Sequence, residues 1–505
     1  MTQLARKVLK NAAFNSSSII IGGIGGVIFT ALLARLLHPE LFGVYHLALS
    51  VALIMLTFTD LGVNRTMTRY VSYALGKDDQ TLARSFFRYL LKIKFMFAFF
   101  SSLALIISAK PLAMYVFHNP DLVLPLEIVG ILIFFYSFFD FLDATFVALQ
   151  KFHYSTMRSL IFEVSRLAII PSFIFLGYSV SGALLGLTLT IIVVVAVLLF
   201  FLTRRYSYLF KGETVKIERR RVLRFLGYLT FSTLISGLFF LHVDVIMLGI
   251  LMTTTDVGFY KAAFSIITTF IGLISATTVL FPVFTQLEGD ELKNAFGKIF
   301  RYLTMFAFPC AAGLAFIAKP LIKVLYRAEY LPAVSPFYVL CLLILIVPLD
   351  FFSVLFDSKE KPEYPAKIIA ITSGLNILFN YFFILKFGMM GAAIATVASR
   401  YLGAFTLAFL SKSVLDIFPG IDSVYKPLFS ASVMLVFLYF MPAPETILTG
   451  ISVIIVAAVI YLSVLALIRG IGKEDIKYLS AVLGQEERLI RMYNAMDSKL
   501  QRGGK

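Results

Sequence analysis

Eight ionisable residues stand inside long apolar runs of this chain: Glu127, Asp140, Asp143, Glu163, Arg166, Asp244, Asp350 and Arg400. A charge at mid-bilayer costs roughly 2.5–3.5 kcal/mol on insertion scales unless it meets water or a partner. So many cannot all face lipid, and they argue for a hydrated interior of the kind that passage of a polar group needs. Glu163 and Arg166 are spaced i, i+3 and can neutralise each other on one helix face. Asp140 with Asp143, and Asp350 with Asp357, occupy corresponding runs of two halves. They read either as acids lining a lumen or relaying protons, or as caps and partners of loop lysines. Asn376 and Asn380 lie one turn apart, so their amides share a face. Such a pair either glues helices together or offers oxygens to a hard cation. His242, next but one to Asp244, reads as a proton shuttle or as a hydrogen-bonded structural residue.

Other chemistries are disfavoured. Cys310 and Cys341 are the two cysteines, both in apolar runs, which excludes a disulfide framework and argues against a metal centre. No phosphate-cradling Gly-rich loop precedes a Lys-Ser/Thr pair, so ATP is not expected as the direct energy source. A membrane glycosyltransferase or polymerase would want catalytic acids on a sizeable outer loop. The outer loops here are short and carry few carboxylates: Glu40, Asp121, Asp256, Glu329 and Glu445. The expected protein is therefore not an enzyme, and neither a cofactor nor a resident metal is expected.

The elements that must position these residues follow from composition. The chain has 505 residues, is 59% hydrophobic and 15% charged, and has a mean hydropathy of +0.90. Roughly 20 apolar residues cross a ~30 Å hydrocarbon core, and run after run here meets that length. The runs do not alternate as barrel strands do. We expect an all-α polytopic membrane protein of about fourteen transmembrane helices, with cores near 14–34, 41–63, 89–108, 122–148, 158–177, 180–202, 228–250, 258–284, 302–318, 334–356, 366–386, 389–410, 427–441 and 446–468. With both termini in the cytoplasm, 36 of the 45 Lys and Arg fall on the inner side and 7 on the outer. That asymmetry orients the protein and accounts for the net charge of +16 without nucleic acid. The expected location is the cytoplasmic membrane. The tail carries Ile476, Leu479, Leu483, Ile490, Tyr493 and Leu500 at helical spacing, which reads as an amphipathic helix on the inner leaflet or as a partner-binding segment.

The chain says one phrase twice. Gly43, Tyr45 and Ala48 form G-x-Y-x-x-A, and Gly258, Tyr260 and Ala263 repeat it 215 residues later. Gly182-Ala183 and Gly391-Ala392 head two further spans, 209 apart, and Tyr154 and Tyr364 are 210 apart. Duplication follows, and an even number of spans inserts both copies the same way up, related by an axis along the membrane normal. The expected domains are a six-helix lobe (1–203), a cytoplasmic linker (204–224), a second six-helix lobe (225–411), helices thirteen and fourteen (412–468) and a cytoplasmic tail (469–505).

These stretches resemble the polysaccharide-biosynthesis flippases of the Wzx type. The resemblance rests on Leu33–Leu37 with Phe42–Tyr45, on Asp60-Leu61-Gly62 with Arg69-Tyr70-Val71, on Val257–Ala263 and on Gly391–Thr396, in that order along the whole chain. The family belongs to the multidrug, oligosaccharidyl-lipid and polysaccharide exporter superfamily. The resemblance implies two six-helix lobes around a cavity that opens alternately to each side. The implied substrate is a glycan on a polyprenyl (pyro)phosphate, flipped between leaflets, with membrane lipids and glycan polymerases or glycosyltransferases as partners. A phosphate suits arginine's planar, permanent charge. The candidates for it are Arg35, Arg65, Arg69, Lys261 and Arg400. Arg35 and Lys261 read equally as side chains snorkelling to an interface, and Arg65 and Arg69 as topogenic charge. Asp244, Asn376, Asn380 and Thr396 lie in spans that form a sodium site in some lipid II flippases. With one carboxylate, the set suits either weak Na⁺ binding or H⁺. The competing reading is a multidrug/cation antiporter of the same superfamily, which would want a more acidic, more apolar lumen.

Overall fold

The computed structural model describes residues 3–239, 243–274, 284–285 and 287–470. His242 and all but the first two residues of the expected tail lie outside them. Among the described residues the chain is helical and has no strand. Ten stretches of it are long and apolar enough to cross a membrane. Two of the ten, Ile21–Asp60 and His153–Arg205, are long enough to hold two of the expected spans each, because helical hydrogen bonding resumes directly after their turns.

The reason for each turn is local. Helix α1 (Gln3–Asp60) breaks at His38, whose φ of 60° and ψ of 167° are not helical. Pro39 follows, and proline pushes the residue before it out of the α region while removing a helix N–H. Asp60 ends the helix and accepts from Asn64 N at 3.0 Å. Gly62 (φ 85°) then admits α2 (Val63–Gly76). Asp79 caps α3 (Gln80–Pro111) by accepting from Leu82 N at 2.8 Å. Helices α4 (Val123–Ala148) and α5 (His153–Phe173) follow, and a turn with Gly177 at φ 90° and Ser179 at φ 48° leads into α6 (Ser179–Arg205).

The second half repeats the plan. The described parts of the expected seventh span are α7 (Arg219–Phe239) and α8 (Val243–Leu251), with 240–242 outside the described residues, and α9 (Thr254–Ile274) follows. Helix α10 (Gly289–Phe316) starts well before the apolar core expected at 302. Its first turns carry Lys293, Lys298 and Arg301, a polar extension that helical hydrogen bonding continues beyond the apolar core. After α11 (Ala318–Tyr326), the tenth span is α12 (Val334–Cys341) and α13 (Val347–Ser358), joined by a 3₁₀ turn that ends beside Pro348. Then come α14 (Glu363–Phe387), α15 (Met389–Val414), α16 (Asp422–Phe440) and α17 (Ile447–Leu467). The last two pack on α10: Tyr461 donates to Met305 O at 2.8 Å, and Ala431, Met434, Leu438 and Ala457 fill the seam. The extended part of the linker is shorter than 204–224, because α6 runs to Arg205 and α7 begins at Arg219.

The repeated phrases meet. Among the described residues, helix α1 packs along α9 more extensively than any other pair of elements. A methyl group on Gly43 would overlap the Thr254 carbonyl, and one on Gly258 would overlap the Pro39 carbonyl. Pro39 and Thr254 are 215 residues apart, as are the two glycines. The contact is thus reciprocal, the form that a twofold axis running between two copies produces. Tyr45, Ala48, Tyr260 and Ala263 are buried beside it. The second landmark also repeats: Gly182 lies against Phe173 O, and Gly391 against Phe383 O. In each half a glycine lets the returning helix close on the carbonyl of the helix before it.

Candidate functional site

The oxygen-bearing side chains of the second half come together. Asp244, on the first turn of α8, receives a hydrogen bond on each carboxylate oxygen. Asn380 Nδ2 of α14 donates to Oδ1 at 2.7 Å. Thr396 of α15 and the Tyr260 hydroxyl of α9 (3.0 Å) donate to Oδ2. Asn380 Nδ2 also lies 3.0 Å from Asn376 Oδ1, and Asn376 Nδ2 donates to Ser399 Oγ at 3.1 Å. Asp244, Tyr260, Asn380 and Thr396 are all buried. Burying a carboxylate is costly unless donors or a cation compensate it, and here side chains of three other helices donate to one.

One atom of the cluster is not satisfied. Asn380 Oδ1 is buried and has no hydrogen-bond partner among the described residues. A buried acceptor without a donor costs about 1–3 kcal/mol. Asn380 turns its Nδ2 toward Asp244 and Asn376 Oδ1. The amide turned over would present Oδ1 there and complete, with the Asp244 carboxylate, the Asn376 amide and the Thr396 hydroxyl, an all-oxygen set of the type that hard cations such as Na⁺ prefer over soft metals. The residues present therefore fit such an ion. Lys261, next to Tyr260 on α9, is half-buried within electrostatic reach of Asp244 and lies 5.4 Å from the Phe264 ring. The Lys261 ammonium thus acts on the Asp244 carboxylate through the field, not through a direct ion pair.

All four expected cation residues meet here. Tyr260 and Ser399 complete the cluster and are not among the residues that sequence reasoning singles out for it. Tyr260 does carry a signal, since it is the tyrosine of the repeated phrase. Its copy Tyr45 is equally buried, but the residue 215 positions before Asp244 is Phe29, so the first half has no equivalent carboxylate there. Ser399 carries no signal beyond lying one turn from Thr396.

The five basic candidates do not come together in one place. Arg35 donates to the carbonyls of Val324 and Leu325 at the end of α11, capping a helix of the other half. Beside it His38 Nδ1 lies 2.6 Å from Glu329 Oε2, and Tyr330 OH donates to Ala34 O at 3.0 Å. Arg65 and Arg69 are exposed on α2, and the Arg69 guanidinium sits 4.4 Å over the Phe225 ring of α7. Thr230 of α7 donates to Leu61 O at 2.9 Å in the same contact. Arg400 of α15 lies 3.7 Å from Asp350 of α13, and Lys261 belongs to the Asp244 cluster.

Several other membrane-embedded charges form pairs. Glu163 and Arg166 of α5 pair at 2.5 Å, with the guanidinium 4.5 Å over the Phe29 ring. Lys94 is 1% exposed on α3 and meets Asp60 at 3.2 Å. Asp140 and Asp143 do not meet loop lysines: Arg158 of α5 lies 3.5 Å and 3.4 Å from them. It can reach both because they sit one turn apart on α4. Outside the membrane, Lys293 holds Asp416 at 2.5 Å and keeps that carboxyl below its usual range.

The sequence and fold have relatives. A family model described as polysaccharide biosynthesis protein matches residues 8–288. An uncharacterized membrane protein of Methanocaldococcus jannaschii is 24% identical over 416 residues, 76% of this chain and 80% of that one. A protein of Shigella flexneri described as a putative O-antigen transporter is 22% identical over 424 residues, 81% of this chain and 99% of that one. Among solved structures, the lipid II flippase MurJ in an inward closed conformation aligns with a TM-score of 0.70 and 16% identity, covering 90% of this chain and 98% of that one.

Proposed function

The chain belongs to the polysaccharide biosynthesis protein family, and from that premise we propose that this multi-pass membrane protein carries a polyprenyl pyrophosphate-linked oligosaccharide between the leaflets of the cytoplasmic membrane. The observation that carries the reading furthest is the buried Asp244 cluster with its unsatisfied Asn380 oxygen. It supports a transport cycle coupled to a monovalent cation.

Asp244, Asn376, Asn380 and Thr396 would hold the ion, which supplies one positive charge to a site already facing Lys261. A cation at Asp244 offsets the carboxylate's longer-range attraction for the Lys261 ammonium. The ammonium then has attraction to spare for the anionic phosphate of the substrate. In this cycle Lys261 links the ion to the substrate, while Arg35 and His38 close one end of the seam between halves and the α2–α7 contact closes the other. Arg35, Arg65, Arg69 and Arg400 act on the phosphate only in states where these contacts have opened. Both termini lie in the cytoplasm in this reading, where the positive charge is concentrated.

The test is reconstitution of the full chain in vesicles with a fluorescent polyprenyl-pyrophosphate sugar, followed by leaflet exchange under imposed Na⁺, H⁺ or voltage gradients. Exchange that responds to one gradient and is lost in Asp244→Asn supports the proposal. Drug efflux without exchange under any gradient would replace it with the multidrug/cation antiporter.

A further inference from the structure

We propose that the chain binds the phosphate headgroup of an anionic membrane lipid in a basic pocket between α3 and the linker that joins the two halves. The pocket encloses about 420 Å³ and is lined by Arg88, Lys92, Lys216 and Arg219, with Ser85 and Thr214 between them. Among the described residues no carboxylate lines it. Four positive charges around a cavity repel one another, and an anion inside it relieves that repulsion.

The pocket is built by specific contacts, not by chance proximity of surface side chains. Arg84 donates to the carbonyls of Tyr208 and Glu213, and Arg88 to that of Phe210. Val215 N donates to Ser85 Oγ at 2.9 Å. Arg84 and Ser85 thereby hold the linker in place and fix the position of Lys216 opposite Lys92. Arg219 is placed from the other wall, 5.6 Å over the Tyr89 ring. Arginines and a serine of α3 therefore spend their donors and acceptor on the linker, leaving the two lysines for a ligand.

A lipid fits better than free phosphate because of what lies along α3. Lys92, Met96, Phe99, Phe100, Leu103 and Ile107 follow at helical spacing, and all are exposed. They form one apolar track that leads away from the pocket's mouth, with Met96 lining both. An acyl chain on that track places its headgroup against Lys92. Basic pockets between transmembrane helices and juxtamembrane lysines are the general means of recognising such headgroups. The linker connects α6 to α7, so a bound lipid also pins the joint across which the halves move.

The experiment uses the full chain, purified in detergent, with short-chain phosphatidylglycerol, phosphatidylcholine and inorganic phosphate as separate probes. Bound lipid is counted by native mass spectrometry, and stability is followed by thermal unfolding. Phosphatidylglycerol should be retained and should raise the melting temperature, and phosphatidylcholine should do neither. The double variant Lys92→Gln/Lys216→Gln should weaken phosphatidylglycerol binding on the order of tenfold or more, while Lys92→Arg/Lys216→Arg retains it. Lys77→Gln/Lys211→Gln removes the same charge elsewhere and should leave binding unchanged. Equal retention by the Gln double variant and the unaltered protein overturns the proposal. So does protection by inorganic phosphate equal to that by the lipid. Neither readout depends on transport, so this site stands or falls separately from the proposed substrate.

Discussion

Gly43 and Gly258 face each other across the seam between the two halves, each lying against the carbonyl that precedes the other's turn: Thr254 for Gly43, Pro39 for Gly258. Small residues at such a crossing let backbones approach closely, which is what holds helices together where water supplies no hydrophobic drive. Neither carbonyl is the end of a flexible side chain, so neither can step aside.

Gly43→Ala and Gly258→Ala should each destabilise the protein by about 1–3 kcal/mol, the usual cost of overpacking. Thermal unfolding in one detergent reads this directly. Gly76→Ala, where a methyl meets open space, is the matched control. Equal melting temperatures for all three would show that the seam is looser than described.

Asn380→Asp should convert a one-carboxylate cradle into a two-carboxylate one and tighten Na⁺ binding by roughly tenfold, since ligand charge sets affinity at oxygen sites. The measurement is the Na⁺ concentration that half-saturates thermal stabilisation, because a ligand that binds the folded state stabilises it by mass action. Asp244→Asn should abolish the effect. If Na⁺ stabilises the unaltered protein and both variants alike, the cluster is not where the ion sits.

Lys94 is fully buried against Asp60, and a buried pair broken on one side costs about 3–5 kcal/mol. Asp60→Asn should therefore be strongly destabilising, as should Lys94→Met. The double variant should recover much of the loss. Additive losses in the double-mutant cycle would mean the two side chains do not act as a pair.

Arg35 and His38 tie the first half to Val324, Leu325 and Glu329 of the second. Alternating access requires that tie to part. A disulfide formed between His38→Cys and Glu329→Cys should stop lipid exchange in vesicles, and reduction should restore it. Cross-linked protein that transports at the unaltered rate would remove this contact from the gating path.

How much is legible in the sequence differs from element to element. The helices are, because a run of apolar residues long enough to cross a bilayer has one low-energy conformation there. Their turns are too, at Pro39, Gly177 and Gly388, where proline or a positive φ ends a helix. The all-oxygen set of Asp244, Asn376, Asn380 and Thr396 can be named from one turn of spacing and a family resemblance. Tyr260 is visible as part of a repeated phrase, but repetition alone assigns it no role.

What the chain alone determined is therefore periodic or local: apolar length, charge asymmetry, glycine and proline positions, and the near-constant offset between copies. What only the tertiary structure decided is which groups share a space. Arg35 reaches carbonyls 289 and 290 residues away, and Asp244 takes its donors from α9, α14 and α15. A polar side chain in an apolar run must find a partner, and the sequence shows that need. The partner's identity depends on which helices pack side by side, a choice made by backbone contacts such as the one between Gly43 and Gly258.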